Sequence, residues 1–190
     1  MFNSRFTKFL NKNLHVLGLE NVTVKDTDFL FKTLKQSFSD VNFQIFDAEK
    51  IAGKAHIEFA VLNALKAFKT GKNISKSLPV EVMLYVSSQR QIGKALKMVG
   101  ISPETKNLVL VVFGVSSDVA SKVLDEVHRL VGGKINSEVV EVNREKIETI
   151  KKTFEISDLE IETQMFGNIT LEEAIKKLVI ERIALLATQQ

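Results

Sequence analysis

Apolar residues recur at two spacings along this chain, and the alternation between the two lays out its elements. From Lys54 to Thr70, Ile57, Ala60, Val61, Ala64, Leu65 and Phe68 fall three or four apart, the period of an amphipathic helix, and Gly71 stands where such a helix stops. The pattern returns from Asp28 to Phe38 with Phe31, Leu34 and Phe38. It returns again with Val119, Val123, Leu124, Val127, Leu130 and Val131, closed by Gly132-Gly133. A charged helix is expected from Arg144 to Phe154. Val41 to Phe46 alternates as a strand does and ends on Asp47, and Asn107 to Val115 is the most apolar run, the expected central strand. Val22 to Val24 and Glu138 to Val142 read as short strands.

The segment from Gly71 to Gly100 carries the most specific pattern. Val80 to Val86 has the β-branched and aromatic content of a buried strand. It runs into Ser88-Gln89-Arg90-Gln91, where Ser88 is expected to cap a helix and Gln91 to close a capping box. That helix would place Arg90, Lys94 and Lys97 on one cationic face and Ile92, Ala95, Leu96 and Val99 on a core-facing one, with Gly100 as a left-handed cap. The segment therefore presents amide, hydroxyl and guanidinium groups at a helix N-terminus above a basic row.

Toward the C-terminus, Ser157 to Gly167 is polar and irregular, and Thr170-Leu171-Glu172-Glu173 is a capping box opening the last helix. Leu171, Ala174, Ile175 and Leu178 form its core stripe. After them, Val179-Ile180 and Ile183-Ala184-Leu185-Leu186-Ala187 leave few polar positions. A helix apolar all round is buried either in its own fold or against another chain. Ile180, Ile183 and Leu186 are thus candidate docking anchors, and completion of the chain's own core, or a terminal strand from Ala184, are the alternatives.

Charge sharpens the picture in one place. Between Lys66 and Lys97 lie Lys66, Lys69, Lys72, Lys76, Arg90, Lys94 and Lys97 against one acid, Glu81. Seven cations against one acid leave +6, where the whole chain is only +3. Such a local patch suits a phosphate-rich partner, and the plainer reading is a pair of lysine-solvated helix faces. Over 190 residues, 45% hydrophobic and 26% charged, the composition is that of an ordinary globular chain. It is read as one α/β (α+β) domain over 1–190, a mixed or antiparallel central sheet with flanking helices. Residues 1–40 are read as an N-terminal extension or arm and 157–167 as a loop insertion. The first residues (Phe2, Arg5, Phe6, Lys8, Phe9, Leu10, Lys12) are basic and weakly amphipathic, and no run approaches the ~20 apolar residues of a membrane span. With no cysteine there is no disulfide or thiolate metal site, which fits a reducing, cytoplasmic setting.

Catalytic patterns are sparse. His15, His56 and His128 form no metal-binding helix motif, and neither G-x-G-x-x-G nor G-K-[ST] occurs. No G-x-S-x-G elbow surrounds Ser87 or Ser88, and Asp47 with Glu49 reads as helix capping. A non-enzyme without metal or cofactor is expected. An enzyme using the Ser87/Ser88 turn as an anion site is the remote alternative.

Asp47-Ala48-Glu49-Lys50-Ile51-Ala52-Gly53 followed by His56, then Asn73-Ile74-Ser75, Glu81, Ser88-Gln89-Arg90-Gln91-Ile92 and the closing Glu181-Arg182-Ile183-Ala184-Leu185-Leu186 resemble one family. It is the small kinase-binding, tRNA-recruiting subunit of the KEOPS (EKC) complex, called TPRKB in animals. The resemblance covers Phe43 to Val142 and Gly167 to Leu186, with a longer N-terminus and an apparent insertion from Ser157 to Gln164. It implies a non-catalytic subunit that docks on the complex's kinase/ATPase subunit, helps make threonylcarbamoyladenosine and holds the single-stranded 3′ CCA end of tRNA. Neither a membrane nor a small-molecule cofactor is implied. On this reading Arg90, Lys94 and Lys97 neutralise phosphates and Arg90 can also stack, Asn73, Ser75, Ser88, Gln89 and Gln91 contact base edges, and Lys76 belongs to the same tRNA-binding set. Kinase docking falls to Ile180, Ile183 and Leu186. The competing reading is a protein-only adaptor that biases the kinase allosterically and never touches RNA.

Overall fold

Among the described residues, four strands form one antiparallel sheet in the order β2-β3-β1-β4: β1 (Leu14–Glu20), β2 (Asn42–Asp47), β3 (Leu108–Phe113) and β4 (Lys134–Ile135). The computed structural model describes residues 13–165, 167 and 169–188. They divide into two units, residues 13–48 with 100–139 and residues 49–99 with 140–188. The fold class is α+β, as the alternation of periods indicated.

In the first unit β3 is buried along its whole length and is paired on both edges. Leu14 to Leu19 of β1 face Phe113 to Leu108, and Asn42 to Asp47 of β2 face the same residues from the other side. Helices α1 (Thr27–Ser37) and α5 (Ser117–Val131) bury Leu30, Leu34, Val123 and Val127 in a cluster with Phe43, Ile45, Leu108 and Leu110. Asp26 caps α1, its Oδ1 accepting from the Phe29 N–H at 2.9 Å.

Two expectations change here. Val22 to Val24 is not a strand: the Val22 N–H donates to the Lys106 carbonyl and the Thr23 N–H to the Val131 carbonyl, each at 2.8 Å, outside any ladder. The strand lies upstream, in β1, so residues 14–37 of the expected N-terminal arm form a strand and a helix of this unit. Residues 1–12 of that arm lie outside the described residues. Glu138 to Val142 is likewise no strand, and Ser137–Val140 is a 3-10 turn.

The second unit is helical: α2 (Lys54–Thr70), α3 (Leu78–Ser87), α4 (Ile92–Val99), α6 (Arg144–Phe154), α7 (Asp158–Gln164) and α8 (Leu171–Thr188). The expected strand at Val80 to Val86 is helix α3, with Glu81 through Ser87 all buried. α2, α4 and α8 all pack on α3. A segment enclosed on every side carries no polar period, so composition alone favoured a strand, while Pro79 in its first turn belongs to a helix start.

The expected loop at 157–167 contains α7, opened by a full capping box between Ser157 and Glu160. α8 starts on the predicted cap, the Thr170 Oγ1 accepting from the Glu173 N–H at 3.3 Å, and remains helical to Thr188. Gly71 adopts the left-handed cap (φ 69), whereas Gly100 has no positive φ.

Candidate nucleic-acid interface

The nine residues expected to contact RNA are distributed around α3. Asn73, Ser75 and Lys76 lie in the loop that enters it, and Ser88, Gln89, Arg90 and Gln91 lie in the turn that leaves it. Lys94 and Lys97 lie on α4, which packs back on α3.

The entering loop is held from within. Glu81 is fully buried, and its carboxylate accepts from the Ile74 N–H at 3.0 and 3.1 Å and from the Ser75 N–H at 2.7 Å. The Asn73 side-chain amide donates to the Ser75 carbonyl at 3.0 Å, and the Ser77 N–H donates to the Ser75 Oγ at 3.1 Å. Ser75 is therefore buried and Asn73 internally bonded, and Lys76 is the exposed member of the three. Glu81 also ceases to be a surface charge opposing the patch.

The leaving turn reverses an expectation. Ser88 is the C-cap of α3, not the N-cap of the next helix: it is left-handed (φ 54, ψ 33), its N–H donates to the Tyr85 carbonyl at 3.0 Å and the Gln89 N–H donates to the Leu84 carbonyl at 2.9 Å. This turn therefore stands at the carbonyl end of α3 rather than at an N–H end. The anion-site reading of Ser87/Ser88 loses its basis, and the Ser87 Oγ, buried, donates to the Leu84 carbonyl at 3.1 Å.

α4 departs from the expected stripe as well. Ala95 and Val99 are buried, but Ile92 is 49% and Leu96 53% exposed, because so short a helix buries only one narrow seam. Arg90, Gln91, Lys94 and Lys97 are exposed too, so cations and aliphatics share the outer surface.

Beside the turn opens a cavity of about 360 Å³. Ser88, Gln89 and Met98 form one wall, the end of α6 with Phe154 another, and Arg182 and Leu185 of α8 the third. The Ser88 Oγ itself is buried, with no hydrogen-bond partner among the described residues. Arg182 bonds the Glu160 Oε1 at 2.5 Å and the Glu155 carbonyl at 3.4 Å. The Ser157 N–H first, and the Arg182 guanidinium second, hold the Glu160 carboxyl down at about 2. Sequence reasoning missed Arg182 and Phe154 as site-forming residues, since their roles come from segments remote along the chain, and Glu81, since its burial against the loop six and seven residues back leaves no pattern in the sequence.

Of the three docking anchors, Ile183 (0% exposed) and Leu186 (4%) belong to the chain's own core, and Ile180 is half-buried. The open side of α8 instead carries Lys177, Glu181 and Leu185. Among the described residues no acidic and histidine side chains gather as a metal site, and no helix is long and apolar enough to cross a membrane.

A family model described as "Kinase binding protein CGI-121" matches residues 20–187. The chain is 32% identical over 146 residues to the regulatory protein Cgi121 of Methanocaldococcus jannaschii, covering 77% of this chain and 83% of that protein. It is 36% identical over 73 residues to the KEOPS complex subunit Cgi121 of Pyrococcus abyssi, covering 37% of this chain and 42% of that one. Against the EKC/KEOPS complex subunit cgi121 of Aspergillus fumigatus the identity is 25% over 96 residues, or 50% of this chain and 51% of that one.

Proposed function

Since the chain belongs to the CGI-121 family of kinase binding proteins, we propose that it is a non-catalytic, cytoplasmic subunit of a KEOPS (EKC) complex that docks on the kinase/ATPase subunit and recruits tRNA through the single-stranded 3′ CCA end. The names of its relatives support the place in the complex. One observation carries the RNA part. Gln89 and Met98 line the cavity, and each is the chain neighbour of an exposed cation, Arg90 and Lys97. Cations next in sequence to the lining of a cavity that offers both polar groups and the Phe154 and Met98 side chains suit a single strand, with phosphates neutralised outside and an unstacked base received inside.

A titration of the isolated protein with labelled tRNA, intact and lacking its 3′ CCA, tests this. Binding should depend on the CCA and weaken with salt, and Arg90→Glu should reduce it with unchanged melting temperature. Each lost single-strand phosphate contact should lower the salt slope by ~0.7. Equal, weak binding of both tRNAs would leave the protein-only adaptor, a reading that the exposed Ile92 and Leu96 favour.

A further inference from the structure

Two successive backbone N–H groups converging on one point form the concavity in which proteins hold phosphate and other anions. The Ile74 and Ser75 N–H groups converge in this way, and the point is already filled by the Glu81 carboxylate at 2.7–3.1 Å. The loop's backbone therefore has no N–H to offer a nucleic-acid phosphate at these two positions. What it offers outward is the Lys76 side chain, and the rest of the loop is spent on bracing itself. A carboxylate taken wholly out of water is retained only where hydrogen bonds compensate it, and these N–H groups do so. Loop and carboxylate thus hold each other in place.

We propose that Glu81 is a positioning residue for nucleic-acid recognition: a built-in anion that fills the loop's phosphate-binding concavity, fixes residues 73–77 and so sets where Lys76 meets the RNA backbone. Glu81 touches no RNA itself. The inference rests on the tRNA-binding reading above. It assigns to the one acid of the basic segment a role that favours RNA binding, where a count of charges would have it oppose binding.

The test is a double-mutant cycle in the full-length chain, read as affinity for labelled tRNA, with Glu81→Gln, Lys76→Ala and the pair. Glu81→Gln is nearly the same size but turns an NH2 group toward one N–H, so amide exchange at Ile74 and Ser75 should quicken. Affinity should fall about threefold to tenfold, and the same change in the Lys76→Ala background should cost less than about twofold. An equal loss in both backgrounds would mean general destabilisation and overturn the proposal. So would unchanged affinity in a chain whose loop amides exchange faster. If Glu81→Gln does not fold, Ser75→Ala loosens the same loop by removing the acceptor of the Ser77 N–H, and the same coupling to Lys76 is required. A wild-type chain with no affinity for tRNA removes the RNA reading and this role together. Normal wild-type binding with no coupling removes this role alone.

Discussion

The His56 Nε2 donates to the carbonyl oxygen of Val86 at 2.9 Å, while its Nδ1 accepts from the Ala52 N–H at 3.0 Å. The acceptor at Nδ1 fixes the neutral Nε2–H tautomer. The ring also meets Phe154 edge-on, with centroids 5.5 Å apart and planes at 79°. One buried imidazole thereby ties the segment before α2, the last turn of α3 and the end of α6, next to the turn that carries Ser88 and Gln89.

That tie depends on pH. Burial lowers the His56 pKa to about 4, opposed by the bond to Val86 and aided by the nearby Lys146 charge. The unfolded chain, with His near ~6.5, takes up a proton first as pH falls. The stabilisation is complete above pH 6.5 and is lost between 6.5 and 4, at about 1.4 kcal/mol per pH unit. The urea midpoint should drop between pH 7 and pH 5, and His56→Gln should flatten that drop. A wild-type midpoint unchanged over this range would show that the ring titrates freely in the folded chain.

Helix α8 separates core from surface by single residues. Ile183→Ala should cost about 2–5 kcal/mol, whereas Leu185→Ala should stay within about 0.5 kcal/mol. Truncation after Lys177 removes Leu178, Val179, Ile183 and Leu186 and should give a molten product, visible as lost near-UV dichroism. Docking is better read from Leu185→Asp. If the open side of α8 meets the kinase, capture should fall while melting stays as in wild type.

Ser157 and Glu160 close a capping box, and Arg182 of α8 bonds the same carboxylate. Ser157→Ala should destabilise by about 0.5–2 kcal/mol, and the melting temperature should fall by about 2–4 °C for each kcal/mol in a chain of this size. An unchanged melting point would mean that α7 frays at no cost to the rest.

Where the sequence carried a period, the elements were legible. α1, α2, α5 and α6 each expose one polar face, and β3 reads as a central strand because both its faces and both its edges are covered. α3 was misread for the opposite reason: enclosure by three helices erased the contrast that reveals a helix. β1 was missed because Gly18 interrupts it, and Gly18 is required there because a Cβ would run into the Asn136 carbonyl and the Val139 side chain. The cations of the candidate site were visible as a run of charge. Glu81 counted as one acid among them until its partners, six and seven residues back, were known.

The ten residues of α3 span about 15 Å, and the two groups of proposed RNA contacts sit at its two ends. Packed on by α2, α4 and α8, this helix is a ruler rather than a hinge: it has no exposed flank toward which to bend. A single residue inserted within it would lengthen the span by about 1.5 Å and turn one end about 100° against the other. The loops at its ends can vary in composition, but the distance and bearing between them are set by the count of residues in the helix that joins them.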